Sequence, residues 1–249
     1  MVSSIPIFIG IWWMLAIYLQ GQNFYYLPTP MEVLQALNQS LTLDPATRLS
    51  LWANIYASLV RFLLGFLLAV AVAVPLGLLI GFSRYANALA RPTVEMLRPI
   101  PPIAWVPFLL LAFGFFYGPI VTIFVGVFFP ILSNVIFGVN SVDPLIVDAA
   151  RTQGANKWQV FTKVIFPSSI PYLMTGIKIG LGVGWMCIVA AEFIAAEGGG
   201  VGAIIVGGQT IGRYDIMFAG MVTVALLGLA TLAFSTLIER RVTKWMGMT

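Results

Sequence analysis

The chain has 249 residues, 60% of them hydrophobic and 9% charged, with 13 Lys and Arg against 9 Asp and Glu. So little charge excludes a water-soluble domain of this size, and the continuous apolar runs exclude a transmembrane β-barrel, whose strands alternate over segments of about ten residues. With no histidine and one cysteine, Cys187, a disulfide framework within the chain, most zinc sites and the usual imidazole proton relay are excluded; the net charge of +4 lacks the basic stripe with interleaved aromatics of a nucleic-acid binder.

The pattern predicts an all-α, polytopic membrane protein with six crossings. The first, residues 5–19, has no basic leader and no small-residue cleavage site, and reads as an anchor rather than a signal peptide. The segment after it contains LPTPMEVLQAL, where Thr29 can cap and Pro30 fits the first helical position. A short amphipathic helix is predicted there, with Leu34 and Leu37 toward the membrane surface. The second crossing covers residues 56–80. The third, 103–116, follows the breaker Pro99-Ile100-Pro101-Pro102, and the fourth, fifth and sixth cover 120–139, 170–195 and 216–238.

The connections set the orientation. Segments 81–98, 140–169 and 239–249 hold Arg84, Arg91, Arg98, Arg151, Lys157, Lys163, Arg240, Arg241 and Lys244; segments 20–55, 117–119 and 196–215 hold only Arg48 and Arg213. Positive charge collects on the cytoplasmic side, so both termini are predicted to be cytoplasmic. The outer stretch from Glu197 to Asp215, EGGGVGAIIVGGQTIGRYD, either dips into the bilayer edge or forms a flexible external loop. The chain contains no linker and no convincing repeat, and reads as a single transmembrane domain over 1–249, with residues 1–55 as anchor and outer segment.

Few polar residues fall within the crossings. Arg61 lies early in the second and is expected to snorkel outward. Lys178 lies deeper in the fifth and either snorkels inward or faces a pore. Glu192, near that segment's outer end, either shapes an outer gate or sits at the interface. Irregular backbone at membrane depth needs protein or a water-filled cavity around it, so Pro99 and Pro101 mark either a plain bend or a pore-adjacent one. Arg98, Pro99, Pro101, Lys178 and Glu192 are therefore the candidate pathway residues, and an arginine at the bend suits an anionic solute.

One long polar stretch remains, DAARTQGANKWQVFTKVIFP at 148–167. Asp143-Pro144 begins a helix that runs to about Thr152, with Leu145, Ala149 and Ile146 on one side. Gly154 suits a helix C′ position of positive φ, and Asn156 can cap a second helix of two turns. On that second helix Trp158, Phe161 and Val164 or Ile165 recur at helical spacing, and Pro167 breaks the pattern. Helices this short are marginal alone in water. The hairpin either folds against the inner membrane face of its own chain or inserts its aromatic face into a groove on another protein.

This stretch resembles the EAA loop of ABC importer membrane subunits: EAA, three residues, Gly, nine residues, Ile-x-Leu-Pro. Asp148-Ala149-Ala150, Gly154 and Val164-Ile165-Phe166-Pro167 match every spacing, with Asp for Glu, Val for Ile and Phe for Leu. LPTPMEVLQAL, SLVRFLLGFLLAVAVAVPLGLLIGFSR, RPTVEMLRPIPPIAWVPFLLLAFG and VAAEFIAAEGGGVG are similar to the permeases for taurine, sulfonates, nitrate, bicarbonate and related small anions. The resemblance implies a type I ABC importer (MetI-like) fold in a prokaryotic cell membrane. It implies a second permease copy, two ABC ATPase subunits, and an extracellular or periplasmic solute-binding protein. By the same resemblance Asp148, Ala149, Ala150, Gly154, Ala155, Trp158, Phe161 and Pro167 couple the chain to the ATPase.

The chain has no G-x-x-x-x-G-K-[ST], so ATP is expected to be bound by another subunit, with no cofactor or metal here. The expected role is a transport subunit and not an enzyme. The rival reading is a stand-alone secondary transporter or channel, against which stand the missing repeats and the scarcity of deep acidic residues. An intramembrane enzyme would need a metal or nucleophile constellation that this composition lacks.

Overall fold

Hydrocarbon offers the backbone no hydrogen-bond partners, so a chain this apolar must close its own bonds in helices. The computed structural model describes residues 4–195 and 198–245, and every regular element among them is helical. In order these are α1 (Ser4–Gly21), α2 (Pro30–Thr42), α3 (Leu51–Phe82), α4 (Arg84–Leu97), α5 (Pro102–Asn140), α6 (Pro144–Thr152) and α7 (Lys157–Val160). A π-helical turn (Phe161–Ile165), α8 (Phe166–Ile194), α9 (Val201–Thr210) and α10 (Tyr214–Trp245) follow. Among the described residues four helical stretches are long and apolar enough to cross a membrane: Leu51–Phe82, Pro102–Asn140, Lys157–Ile194 and Tyr214–Val242. Ile5–Gly21 is apolar but shorter.

By their contacts the residues form two compact units. One comprises the chain up to Arg61 together with Ile188–Leu227; the other comprises Phe62–Cys187 and the chain from Gly228 onward.

In the first unit α2 starts as the sequence predicts. Thr29 accepts from the Glu32 amide at 3.3 Å while the Glu32 carboxylate accepts from the Thr29 amide at 2.7 Å, a closed capping box. Val33 and Ala36 of α2 pack with Leu51, Ile204, Ile216 and Ala219, and Trp12 and Phe218 close on that cluster. Leu34 is exposed as expected, but Leu37 packs against this protein cluster rather than facing outward. The predicted outer loop is in large part a helix: α9 buries Val201, Ala203, Ile204 and Ile205. Its glycines give it poor helix propensity, and burial of its apolar residues overrides that. Glu197, where the loop was expected to start, lies outside the described residues.

The second unit is built on close helix approach. Gly77 and Gly81 of α3 face Val135 and Val139 of α5: an added Cβ would come to 2.8 Å from Val135 Cβ and 2.6 Å from Val139 Cβ. Gly176, Gly180 and Gly184 of α8 form a stripe four residues apart against Asn134, Ile131 and Val127 of α5. Small residues at this spacing let two backbones meet where the hydrophobic effect gives no drive.

Breaks fall where local chemistry allows them. α5 is two helices joined at Gly114, whose φ of 75° and ψ of 176° are non-helical. The break therefore lies at Gly114 and not at the expected 117–119, since glycine alone visits this region without strain and Pro119 is tolerated in the opening turns of a helix. Arg98 to Pro101 separates α4 from α5, with Pro101 as an extended N-cap and Pro102 at the first helical position. α4 itself was not expected; Ser83 caps it by accepting from the Ala86 amide at 3.3 Å.

Packing at the glycines yields a contrast. Gly77→Leu should destabilise the protein by about 1–3 kcal/mol through overpacking against Val135. Gly182 of α8 has open space around an added Cβ, so Gly182→Ala should be neutral or stabilise by about 0.5–1 kcal/mol. Thermal unfolding in one detergent checks both; equal shifts would refute the packing argument.

Candidate functional site

The polar stretch folds as a hairpin. Asp143 accepts from the Leu145 amide at 2.9 Å and Pro144 occupies the first position of α6. α6 ends in a Schellman motif: the Gly154 amide donates to Arg151 O at 2.9 Å and the Ala155 amide to Ala150 O at 3.1 Å. Gly154 has φ of 86°, which a side chain would resist. Asn156 then caps α7 by accepting from the Gln159 amide at 2.8 Å, and Gln159 returns the bond to the Asn156 amide at 2.9 Å.

The two alanines of the motif have different surroundings. Ala150 and Ala155 pack, with Val147 and Phe161, on a small core of Val139, Val160 and Ile165. Ala149 and Asp148 are exposed, as are Leu145 and Ile146. The Asp148 carboxylate pairs with Arg151 at 3.5 Å on the surface, a pairing worth about 0–1 kcal/mol. Phe161 contacts Phe82 edge-on at 5.2 Å and stacks with Trp158 at 5.7 Å. Trp158 is itself 70% exposed. Trp158, Phe161 and Lys157 line a cavity of about 730 Å³ with Leu78, Leu79 and Phe82 of α3. The hairpin thus uses Val160, Ile165 and Phe161 to hold itself to its own chain and leaves Trp158, Leu145 and Ile146 outward.

Pro167 does not end the hairpin before the next span, as the sequence suggested. Instead the helix continues from Lys157 to Ile194. Pro167 lacks an amide and its ring would strike the carbonyl four residues earlier. The π-helical turn at Phe161–Ile165, closed by the Phe166 amide on Phe161 O, widens the helix there and admits the proline.

A second polar constellation is buried. Arg61 is only 4% exposed and Glu192 is fully buried. Arg61 Nη1 donates to Glu192 Oε1 at 3.0 Å and to Gly199 O at 2.8 Å, and Nη2 donates to Gly198 O at 2.8 Å. Glu192 also accepts from the Ser58 hydroxyl at 2.8 Å and from the Gly202 amide at 2.9 Å. The Ser58 hydroxyl accepts from the Val201 amide at 2.8 Å, and Asn54 accepts from the Gly200 amide at 2.9 Å. Arg61 therefore does not snorkel outward. It is held inside the protein, because a carboxylate and two carbonyls satisfy it better than a stretched side chain at the interface would. The glycine run has the same cause: a Cβ on Gly200 would strike the Glu192 carboxylate. Arg61 was expected only to snorkel, and Ser58 and Asn54 were not picked out from sequence. The available signal was an arginine and a glutamate set similarly inward from the outer ends of two crossings.

The other candidate pathway residues have separate partners. Lys178, part-buried in α8, is paired with Glu239 of α10. Arg98, Pro99 and Pro101 are exposed on the connection between α4 and α5, and Arg98 lines a groove with Asn87 and Asn140.

The family described as binding-protein-dependent transport system inner membrane component matches residues 73–244. The taurine transport system permease protein TauC of Escherichia coli is 32% identical over 250 residues, covering 99% of this chain and 89% of the relative. The nitrate import permease protein NrtB of Synechocystis is 32% identical over 226 residues, covering 88% of this chain and 80% of the relative. Among solved structures, an inward-facing conformation of the MetNI methionine ABC transporter superposes with a TM-score of 0.64 at 20% identity. It covers 78% of this chain and 97% of that one, a likeness of fold.

Removing one partner of the buried pair leaves a charge without compensation. Arg61→Ala should therefore cost about 3–5 kcal/mol, whereas Arg61→Met combined with Glu192→Leu should recover most of it. Thermal unfolding of the single and double variants checks this; additive losses would show that the pair is not coupled.

Proposed function

The chain belongs to the family of binding-protein-dependent transport system inner membrane components, transport subunits rather than enzymes, and on that basis we propose that it forms the translocation path of an ATP-driven importer for a small anion. Taurine, other sulfonates and nitrate are the solute class, a reading supported by the relatives named for taurine and nitrate transport. The chain works in a prokaryotic cell membrane as one permease domain. Two copies pair side by side, two ABC ATPase subunits bind below and bind the ATP, and a solute-binding protein delivers from outside.

In this reading the chain crosses six times, by α1, α3, the two halves of α5, α8 and α10, with both termini cytoplasmic. The distribution of Lys and Arg supports that orientation. The hairpin then lies in the cytoplasm. The observation that carries the proposal is its outward apolar face: Leu145 and Ile146 on α6, and Trp158 in the first turn of the Lys157–Ile194 helix, are exposed on a segment with the spacing of an EAA loop. Such a face requires a cover, and the ATPase supplies it.

Each motif residue has a role. Asp148 and Ala149 present the first contact. Gly154 sets the turn, Ala150 and Ala155 seat the hairpin on its own chain, and Trp158, backed by Phe161, enters the ATPase groove. Pro167 and the π-helical turn join the hairpin to α8, so closure of the ATPase pair moves the spans. Arg98, Pro99, Pro101, Lys178 and Glu192 belong to the path and its gates, Glu192 through the buried pair on the outer side. Family membership speaks against the alternative of a stand-alone transporter or channel.

Trp158→Ala removes exposed surface without touching the hairpin's own core. It should lower ATP-driven uptake by about tenfold or more. Gly154→Pro, which fixes φ near −65° and deletes the amide that closes α6, should abolish uptake, as should Phe161→Asp. All three should still reach the membrane. Proteoliposomes holding the chain, its ATPase and its binding protein provide the measurement; undiminished uptake by any variant would sink the coupling assignment.

A further inference from the structure

We propose that the groove between α4 and the second half of α5 is a binding site for a small oxyanion, on the membrane side that carries the hairpin. The groove measures about 340 Å³ and is lined by Asn87, Arg91, Glu95 and Arg98 from α4 and its end, and by Ser133 and Asn140 from α5. Asn140 ends α5 three residues before Asp143, the cap of the hairpin's first helix.

The bonding state of these side chains points to the ligand. The side chains of Arg98, Asn87, Ser133 and Asn140 form no hydrogen bond or ion pair among the described residues. The groove's one carboxylate, Glu95, is engaged by Arg91 Nε at 2.8 Å. A guanidinium, two amides and a hydroxyl therefore open onto one concavity with donors unspent, and the acidic group that would compete for them is occupied elsewhere. Arg98 offers a planar fork of N–H groups whose geometry matches two oxygens of a sulfonate, sulfate, nitrate or phosphate group. The two amides and the serine hydroxyl can each donate to a remaining oxygen. Ile80 and Ile136 form an apolar wall, which lowers the competition from water. A cation is disfavoured, because both arginines face the same space.

The site goes beyond the transport reading. That reading already places Arg98 on the path, and the site rests on it for naming its side cytoplasmic, where an imported anion would accumulate and meet it. The same donors would take the phosphate of an anionic lipid, so the test separates the two sources.

The full-length chain is placed in phosphatidylcholine nanodiscs and titrated with sodium sulfate against sodium chloride at matched ionic strength, with binding read by calorimetry. Saturable sulfate binding is expected, weakened at least about tenfold by Arg98→Gln and less by Arg98→Lys, which keeps charge but not the fork. Glu95→Gln should tighten binding severalfold, since it frees Arg91 for the anion. In a second arm the nanodiscs contain phosphatidylglycerol and no sulfate, and retained lipid is counted by mass spectrometry. Retention that depends on Arg98 would support the oxyanion site with a lipid phosphate as occupant. The Arg98→Gln chain should elute and unfold like the unaltered one in chloride, because its side chain is exposed and bonded to nothing described. If neither sulfate binding nor lipid retention depends on Arg98, the proposal is overturned. Hairpin variants that failed to uncouple uptake would sink the coupling reading and leave these binding results standing.

Discussion

Hydrocarbon supplies neither donors nor acceptors, and the layout of this chain follows from that constraint. Where a helix is interrupted, the local sequence lets the backbone break without a steric clash or a wasted donor. Gly114 turns α5 at a conformation that a side chain would resist. Pro101 and Pro102 open the next helix at positions where no amide is missed. The π-helical turn gives Pro167 room that a regular α-turn would deny it. Between these points the helices are long, and the glycine stripes of α3 and α8 let them approach α5 without the hydrophobic drive that packs helices in water.

The same rule sorts the polar side chains into two kinds. Within the long helices the charged groups are spent on one another: Arg61 donates to the Glu192 carboxylate and to two glycine carbonyls, Glu192 also accepts from Ser58, and Lys178 meets Glu239. In the hairpin and along α4 they are exposed, and apolar side chains such as Trp158 and Leu145 stand out among them. A buried polar group that is satisfied holds the fold. An exposed apolar group on a polar segment implies a partner. The two constellations of this chain fall on opposite sides of that distinction.

Local chemistry made the hairpin readable from sequence. Asp143-Pro144, Gly154 and Asn156 act within a few residues of themselves, and each cap forms as expected. The capping box at Thr29 and the run of long apolar helices were readable for the same reason. Features set by distant partners were not. Arg61 and Glu192 lie 131 residues apart, so nothing near Arg61 signalled burial. α9 hid behind its glycines because only burial against α2 and α10 residues makes it a helix. The π-helical turn escaped because proline signals a break, whereas the way a helix accommodates one depends on three-dimensional room. α4 was obscured by Pro92 within it.

The fixed separation of Gly154 from Pro167 can now be seen as an angle rather than a length. Each α-helical residue turns the chain by about 100°, so one residue more or fewer would swing Trp158 to another side of the helix that leads into α8. The π-helical turn takes up one residue in a wider loop and so adjusts that rotation. The π-helical turn at Phe161–Ile165 therefore acts as a torsion setting, deciding which way the aromatic face points before any partner arrives.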